Sequence, residues 1–106
     1  MLPYQLTSLA QADLESIASY TLEKWGKAQA LRYGELLEQR FREIANRTAK
    51  SRQFSKRFPQ VLVNRCEHHY IFFLHPEGQK PCIIAVLYER MNFVAWLGKR
   101  LDDEVT

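Results

Sequence analysis

At 106 residues the chain has room for one domain with one core and little to spare. Its 46% hydrophobic and 25% charged content is that of an ordinary globular protein, and no apolar run nears the roughly 20 residues of a membrane span. Met1 to Tyr4 lacks a basic stretch leading into an apolar one, so no secretion signal is expected and the cytoplasm is the expected location.

The formal charge of +3 is unevenly spread. Residues 1–46 carry five Lys/Arg against six Asp/Glu, and residues 47–106 carry ten against six. No acid interrupts Arg47, Lys50, Arg52, Lys56 and Arg57 between Glu43 and Glu67. Such a patch suits an anionic partner, nucleic acid or acidic protein; it also suits a plain solvated loop.

In chain order, Pro3 to Leu6 reads as a short edge strand. Thr7-Ser8 supplies an N-cap, with Ser8 and Gln11 at capping-box spacing. A helix to Trp25 follows, its apolar stripe formed by Ala10, Leu14, Ile17, Ala18, Thr21 and Trp25. Asp13 and Glu15 fall in its early turns, where the helix dipole favours acids. Gly26 ends it, and a second helix of about 20 residues carries Ala30, Tyr33, Leu37, Phe41, Ile44 and Thr48 on one face. The two make a helical hairpin whose seam needs an apolar platform. Trp25 belongs to that seam, whereas Tyr20, Leu31 and Leu36 fall off the stripes and are candidate partner contacts.

Residues 46–58 are polar, basic and aperiodic, a loop with room for an extra turn. Three strands follow, at 60–65, 68–75 and 81–89, the last two apolar on both faces and joined across Gly78. That pairing sets Cys82 opposite Leu74 and Cys66 opposite Arg90, out of reach of each other, so neither thiol is expected in a disulfide. A short helix over 92–101 ends the fold, with Lys99 and Arg100 complementing its C-terminal dipole and Asp102 to Thr106 fraying. The order β-α-α-β-β-β with a helical tail is α+β: one domain over 1–106, a helical hairpin on a small, mainly antiparallel sheet.

Three stretches carry a family resemblance: Leu6-Thr7 through Ala12-Asp13-Leu14, Ile17 and Tyr20 to Trp25-Gly26, Gln29-Ala30 and Tyr33; His69-Tyr70-Ile71-Phe72-Phe73; and Val86-Leu87-Tyr88-Glu89-Arg90-Met91-Asn92. Together they resemble the ParE toxins of type II toxin–antitoxin systems, within the RelE/ParE superfamily. The sequence departs from that pattern at 46–60, where the usual glycines are missing. It departs again at Tyr88 and Asn92, where His and Asp are common. The resemblance implies a growth-inhibiting toxin that acts on DNA gyrase and serves plasmid or prophage maintenance. It implies neutralisation by a ParD-like antitoxin, with DNA contacted only through that antitoxin, and no cofactor.

The alternatives are an mRNA endonuclease of the RelE type and a non-toxic, antitoxin-binding remnant. Cleavage through a 2′-hydroxyl needs a base, an acid and cations. Arg65, Glu67, His68, His69, Tyr88, Glu89 and Arg90 are the residues available. His68 and His69 are consecutive on a strand and face opposite ways, and the tail offers Phe93, Val94, Trp96 and Leu97 without His or Tyr. No catalytic set is assigned, and the histidines and cysteines lack zinc spacing. Arg90 either presents charge to a partner or pairs with Glu67 or Glu89. The partner-binding candidates are completed by Arg52, Lys56 and Arg57 in the basic loop and by Trp96, Lys99 and Arg100 in the tail.

Overall fold

A computed structural model describes residues 2–105, with side chains described as far as Leu101. The elements are β1 (Gln5–Leu6), α1 (Ser8–Trp25), α2 (Lys27–Ala45), β2 (Arg52–Gln53), β3 (Leu62–Cys66), β4 (His69–Leu74), β5 (Cys82–Tyr88) and α3 (Phe93–Val105). The strands form one mixed sheet in the order β1-β5-β4-β3-β2, with β1 parallel to β5 and the other neighbours antiparallel. Three helices with this sheet make the expected α+β architecture. One element is added: the segment read as a loop contains β2, a two-residue strand pairing Arg52 with Val63.

The helix ends follow local chemistry. Thr7, extended at φ −73° and ψ 163°, accepts the Ala10 N–H on its hydroxyl at 3.1 Å. The cap is therefore Thr7, and Ser8 is the first helical residue. Gly26 has φ 90° and ψ 171°, a region open in practice only to glycine, and this lets α2 start one residue after α1 stops. Helix α2 ends in a Schellman turn: Thr48 N–H donates to the Glu43 carbonyl at 2.9 Å and Arg47 N–H to the Ile44 carbonyl at 3.1 Å. Arg47 occupies the left-handed position of that turn, φ 61°, where glycine is usual. Helix α3 runs past the expected end at Leu101 to Val105, so residues 102–105 continue it and Lys99 and Arg100 lie mid-helix; Thr106 lies outside the described residues.

Strand alternation gives the sheet two apolar faces. Ile71, Phe73, Ile83 and Val86 meet Tyr33, Leu37, Phe41 and Ile44 of the hairpin. On the other face Phe72, Ile84, Ala85 and Leu87 meet Leu97 and Leu101 of α3. Strand β5 holds a bulge: Phe72 is opposite Ala85 and Phe73 opposite Ile83, so Ile84 has no partner residue. Cys82 faces Leu74 as expected. Cys66 instead ends β3 opposite His69, one strand away from the expected partner, and neither cysteine is in a disulfide.

Candidate functional site

The two edges of the sheet are built differently. Past Leu6, β1 stops and the outer side of β5 is met by side chains. The Val86 N–H donates to Asp13 Oδ2 at 2.9 Å, and Arg100 donates to the Ile84 carbonyl at 2.9 Å. Arg100 and Asp13 also pair with each other at 2.8 Å, with side chains only 10% and 16% exposed. This clasp joins α1 on one face to α3 on the other around the strand edge. Asp13, read from sequence as a dipole residue, is here an edge cap. Arg100 is turned inward instead of toward a partner, while Trp96 and Lys99 on the same helix are exposed.

At the other edge α2, β2 and β3 enclose an open groove of about 670 Å³. Arg40 and Glu43 form one wall, Lys50, Ser51 and Arg52 the other, and Asn64, Arg65 and Tyr70 line it from the sheet. Arg40 Nε pairs with Glu43 at 3.0 Å, and its Nη1 donates to Asn64 Oδ1 at 2.8 Å and to the Arg65 carbonyl. Buried Asn64 in turn donates to the Lys50 carbonyl, so Arg40 and Asn64 together tie the basic segment to the sheet. Neither was singled out from sequence; the signal was a polar residue directly after the apolar run Val61-Leu62-Val63. Arg52, Lys56 and Arg57 are exposed, Arg57 lying over the Phe58 ring at 5.0 Å.

Between these edges lie the residues available for acid–base chemistry. Glu67 and His68 form a tight β3–β4 turn, Glu67 at φ 55°, so His68 is not on the strand as expected. The Tyr33 hydroxyl accepts the His68 N–H at 3.3 Å and lies 2.6 Å from His69 Nδ1, to which it donates when the neutral ring carries its proton on Nε2. Burial lowers the His69 pKa to about 4, with a smaller contribution in the same direction from His68. Burial likewise raises the Tyr33 hydroxyl to about 12. Near neutrality both therefore stay uncharged. Glu89 takes Arg65 at 2.6 Å and His68 at 3.3 Å, leaving Arg90 exposed beside Tyr88. Of the two readings of Arg90, pairing is not realised, among the described residues, with either Glu67 or Glu89.

The hairpin's outer surface is apolar in places. Tyr20 (60% exposed), Leu31 and Leu36 are exposed as expected, with Leu22 among them. Trp25 is exposed as well, at 71%, against its expected place in the core. It is the last residue of α1, at the hairpin tip, and the stripe read from periodicity runs on beyond the buried part of the seam, whose last α1 member is Thr21. A crevice of about 190 Å³ between α1 and α2, reaching Tyr4 and Phe41, runs beneath this surface. Among the described residues no three His, Cys, Asp or Glu side chains gather as a metal site, and no helix is long and apolar enough to cross a membrane.

Residues 4–93 match the family model described as the ParE toxin of the type II toxin–antitoxin system parDE. The chain is similar to Toxin ParE of Escherichia coli, 41% identical over 101 residues, covering 95% of this chain and 98% of that protein. It is 32% identical over 100 residues to Toxin ParE1 of Caulobacter vibrioides, covering 92% of this chain and 100% of that one. A solved chain from the chromosomal ParDE TA system of P. aeruginosa superposes with a TM-score of 0.67 at 20% identity, over 83% of this chain and 96% of its own.

Proposed function

This chain belongs to the ParE toxin family of type II toxin–antitoxin systems, and from that premise we propose that it arrests growth by inhibiting DNA gyrase while a ParD-like antitoxin neutralises it. The observation that carries the reading is the match over residues 4–93, which takes in the hairpin, the sheet and the start of α3. The antitoxin's seat is the hairpin's outward surface, where Tyr20, Leu22, Trp25, Leu31 and Leu36 expose apolar area that water disfavours. A segment that orders on binding can follow a long, shallow surface of this kind. Both partners act in the cytoplasm, which is where the toxin is placed.

The toxin acts by binding, without catalysis. RNA cleavage near neutral pH needs a group that gives up a proton and one that takes it. His69 and Tyr33 have pKa values of about 4 and about 12 and hydrogen-bond each other. Each is shifted away from the working range, and the carboxylate of Glu89 is held by Arg65 and His68.

The test is supercoiling by purified gyrase with folded toxin added. Inhibition at near-stoichiometric toxin, relieved by the cognate antitoxin, is expected. No inhibition at stoichiometric excess, with rapid translation arrest and cleaved mRNA on induction, would replace this reading with the endonuclease.

A further inference from the structure

We propose that the groove between α2 and β2 binds the sugar–phosphate backbone of a single nucleic-acid strand, so that the toxin touches nucleic acid directly and not only through an antitoxin. The proposal goes beyond the gyrase reading and stands independently of it. Four cationic side chains, Arg40, Lys50, Arg52 and Arg65, line the groove against one carboxylate, Glu43. That carboxylate is already held by Arg40 at 3.0 Å. Among the described residues no carboxylate pairs with Lys50 or Arg52, both of which are exposed. Two cations therefore face the groove with their charge uncompensated.

The C-terminal end of α2, whose carbonyls would repel an anion, is closed by the Arg47, Thr48 and Ala49 N–H groups. The groove's volume, about 670 Å³, is in the range of ligand clefts.

The chemistry of the lining favours phosphodiester over an acidic peptide. Peptides that dock by strand addition or as an amphipathic helix draw specificity from side-chain pockets or an apolar groove. The apolar contribution here is Ala49 and Val63 beside Tyr70, and the rest is cationic, hydroxyl or amide apart from the Glu43 carboxylate that Arg40 holds. Lys and Arg with Ser, Thr and Asn donors are the set that positions phosphates. Tyr70, carrying Arg65 over its ring at 5.6 Å, adds an aromatic–guanidinium surface of the kind single strands use.

The experiment is fluorescence anisotropy of labelled oligothymidylate and oligouridylate, each about twelve nucleotides long, with the full-length toxin across a salt series. The K50A/R52A variant is compared with K24A/K27A, which removes the same charge around the hairpin tip; circular dichroism checks that both are folded. Binding to either strand is expected at low salt, and the ratio of the two affinities identifies DNA or RNA as the source. K50A/R52A should weaken binding at least tenfold and lower the slope of log affinity against log salt by about 1.4, about 0.7 for each lost phosphate contact. K24A/K27A should leave both unchanged. Absence of binding at low salt overturns the proposal. So does equal loss in the two variants, or competition by polyglutamate of the same length as effective as that by oligonucleotide.

Discussion

One edge of the sheet is tied shut and the other is left open, and the contrast separates residues that hold the fold from residues free to bind. At the β5 edge the charges are inward and neutralise each other: Asp13 and Arg100 pair and satisfy the Val86 N–H and the Ile84 carbonyl. An open strand edge invites pairing with another chain, and this clasp blocks it. At the β2 edge Arg40 and Asn64 are used internally, while Lys50 and Arg52 point their charge outward. The same residue types thus serve opposite ends. What decides is whether a carboxylate or a bare carbonyl lies within reach.

The clasp should give the largest effect. Asp13→Ala leaves Arg100 mostly buried without its counter-charge and the Val86 N–H without an acceptor. The expected loss is about 3 kcal/mol, the lower end for a buried pair, because both side chains keep some water contact. Urea denaturation measures it, and a double variant with Arg100→Met should recover part of the loss by removing the orphaned charge. A cost below about 1 kcal/mol for Asp13→Ala would show that the closed edge is not held by this pair.

The neutral tie between α2 and the sheet comes next. His69 has its pKa lowered to about 4, mainly by burial, so the folded state disfavours the imidazolium. As pH falls below the ordinary value of 6.5, the unfolded chain takes the proton first. Stability from this group is therefore complete above about pH 6.5, is lost as pH falls toward about 4, and changes no further below that. Allowing for partial solvent screening, the loss is about 1–2 kcal/mol. His69→Gln should flatten this part of the stability–pH curve relative to wild type; an unchanged slope would mean that the ring is solvated.

A smaller effect, of opposite sign, is expected where the chain turns toward the open edge. Arg47 holds the left-handed position of the Schellman turn at φ 61°, strained for any residue with a Cβ. Arg47→Gly relieves that strain at some entropic cost and should stabilise by about 0.5–1 kcal/mol. A higher midpoint of thermal unfolding would confirm it, and a lower one would show that the Arg47 side chain contributes more than the strain costs.

These features differ in how far the sequence could show them. The hairpin was legible because a 3.6-residue stripe and a glycine at the turn are local signals, and β4 was legible as an apolar run. Trp25 was misplaced because periodicity gives direction, not the length of the buried seam. Strand β2 was missed because two residues, Arg52 and Gln53, cannot show alternation. The bulge at Ile84 was hidden because the run from Cys82 to Leu87 is apolar throughout, so a shift of face leaves no mark. The clasp was invisible for another reason: Asp13 and Arg100 lie 87 residues apart, and each alone reads as an ordinary helix charge. Asn64 gave a faint sign, a polar residue in an apolar strand, whose meaning depended on Arg40 arriving from α2.

The smallest expected effect separates the two edges most sharply. Lys50 and Arg52 are exposed, and among the described residues their side chains meet no carboxylate. Exposed charges without partners contribute little to folding, so K50A/R52A should change stability by no more than about 0.5 kcal/mol. Removing two neighbouring positive charges also relieves repulsion between them, which pushes the change toward stabilisation, more so at low salt. Denaturation at two salt concentrations measures both quantities on the variant used for strand binding. If K50A/R52A instead costs more than about 1 kcal/mol, the basic wall is part of the structural tie made by Arg40 and Asn64, and the open edge is as closed as the other.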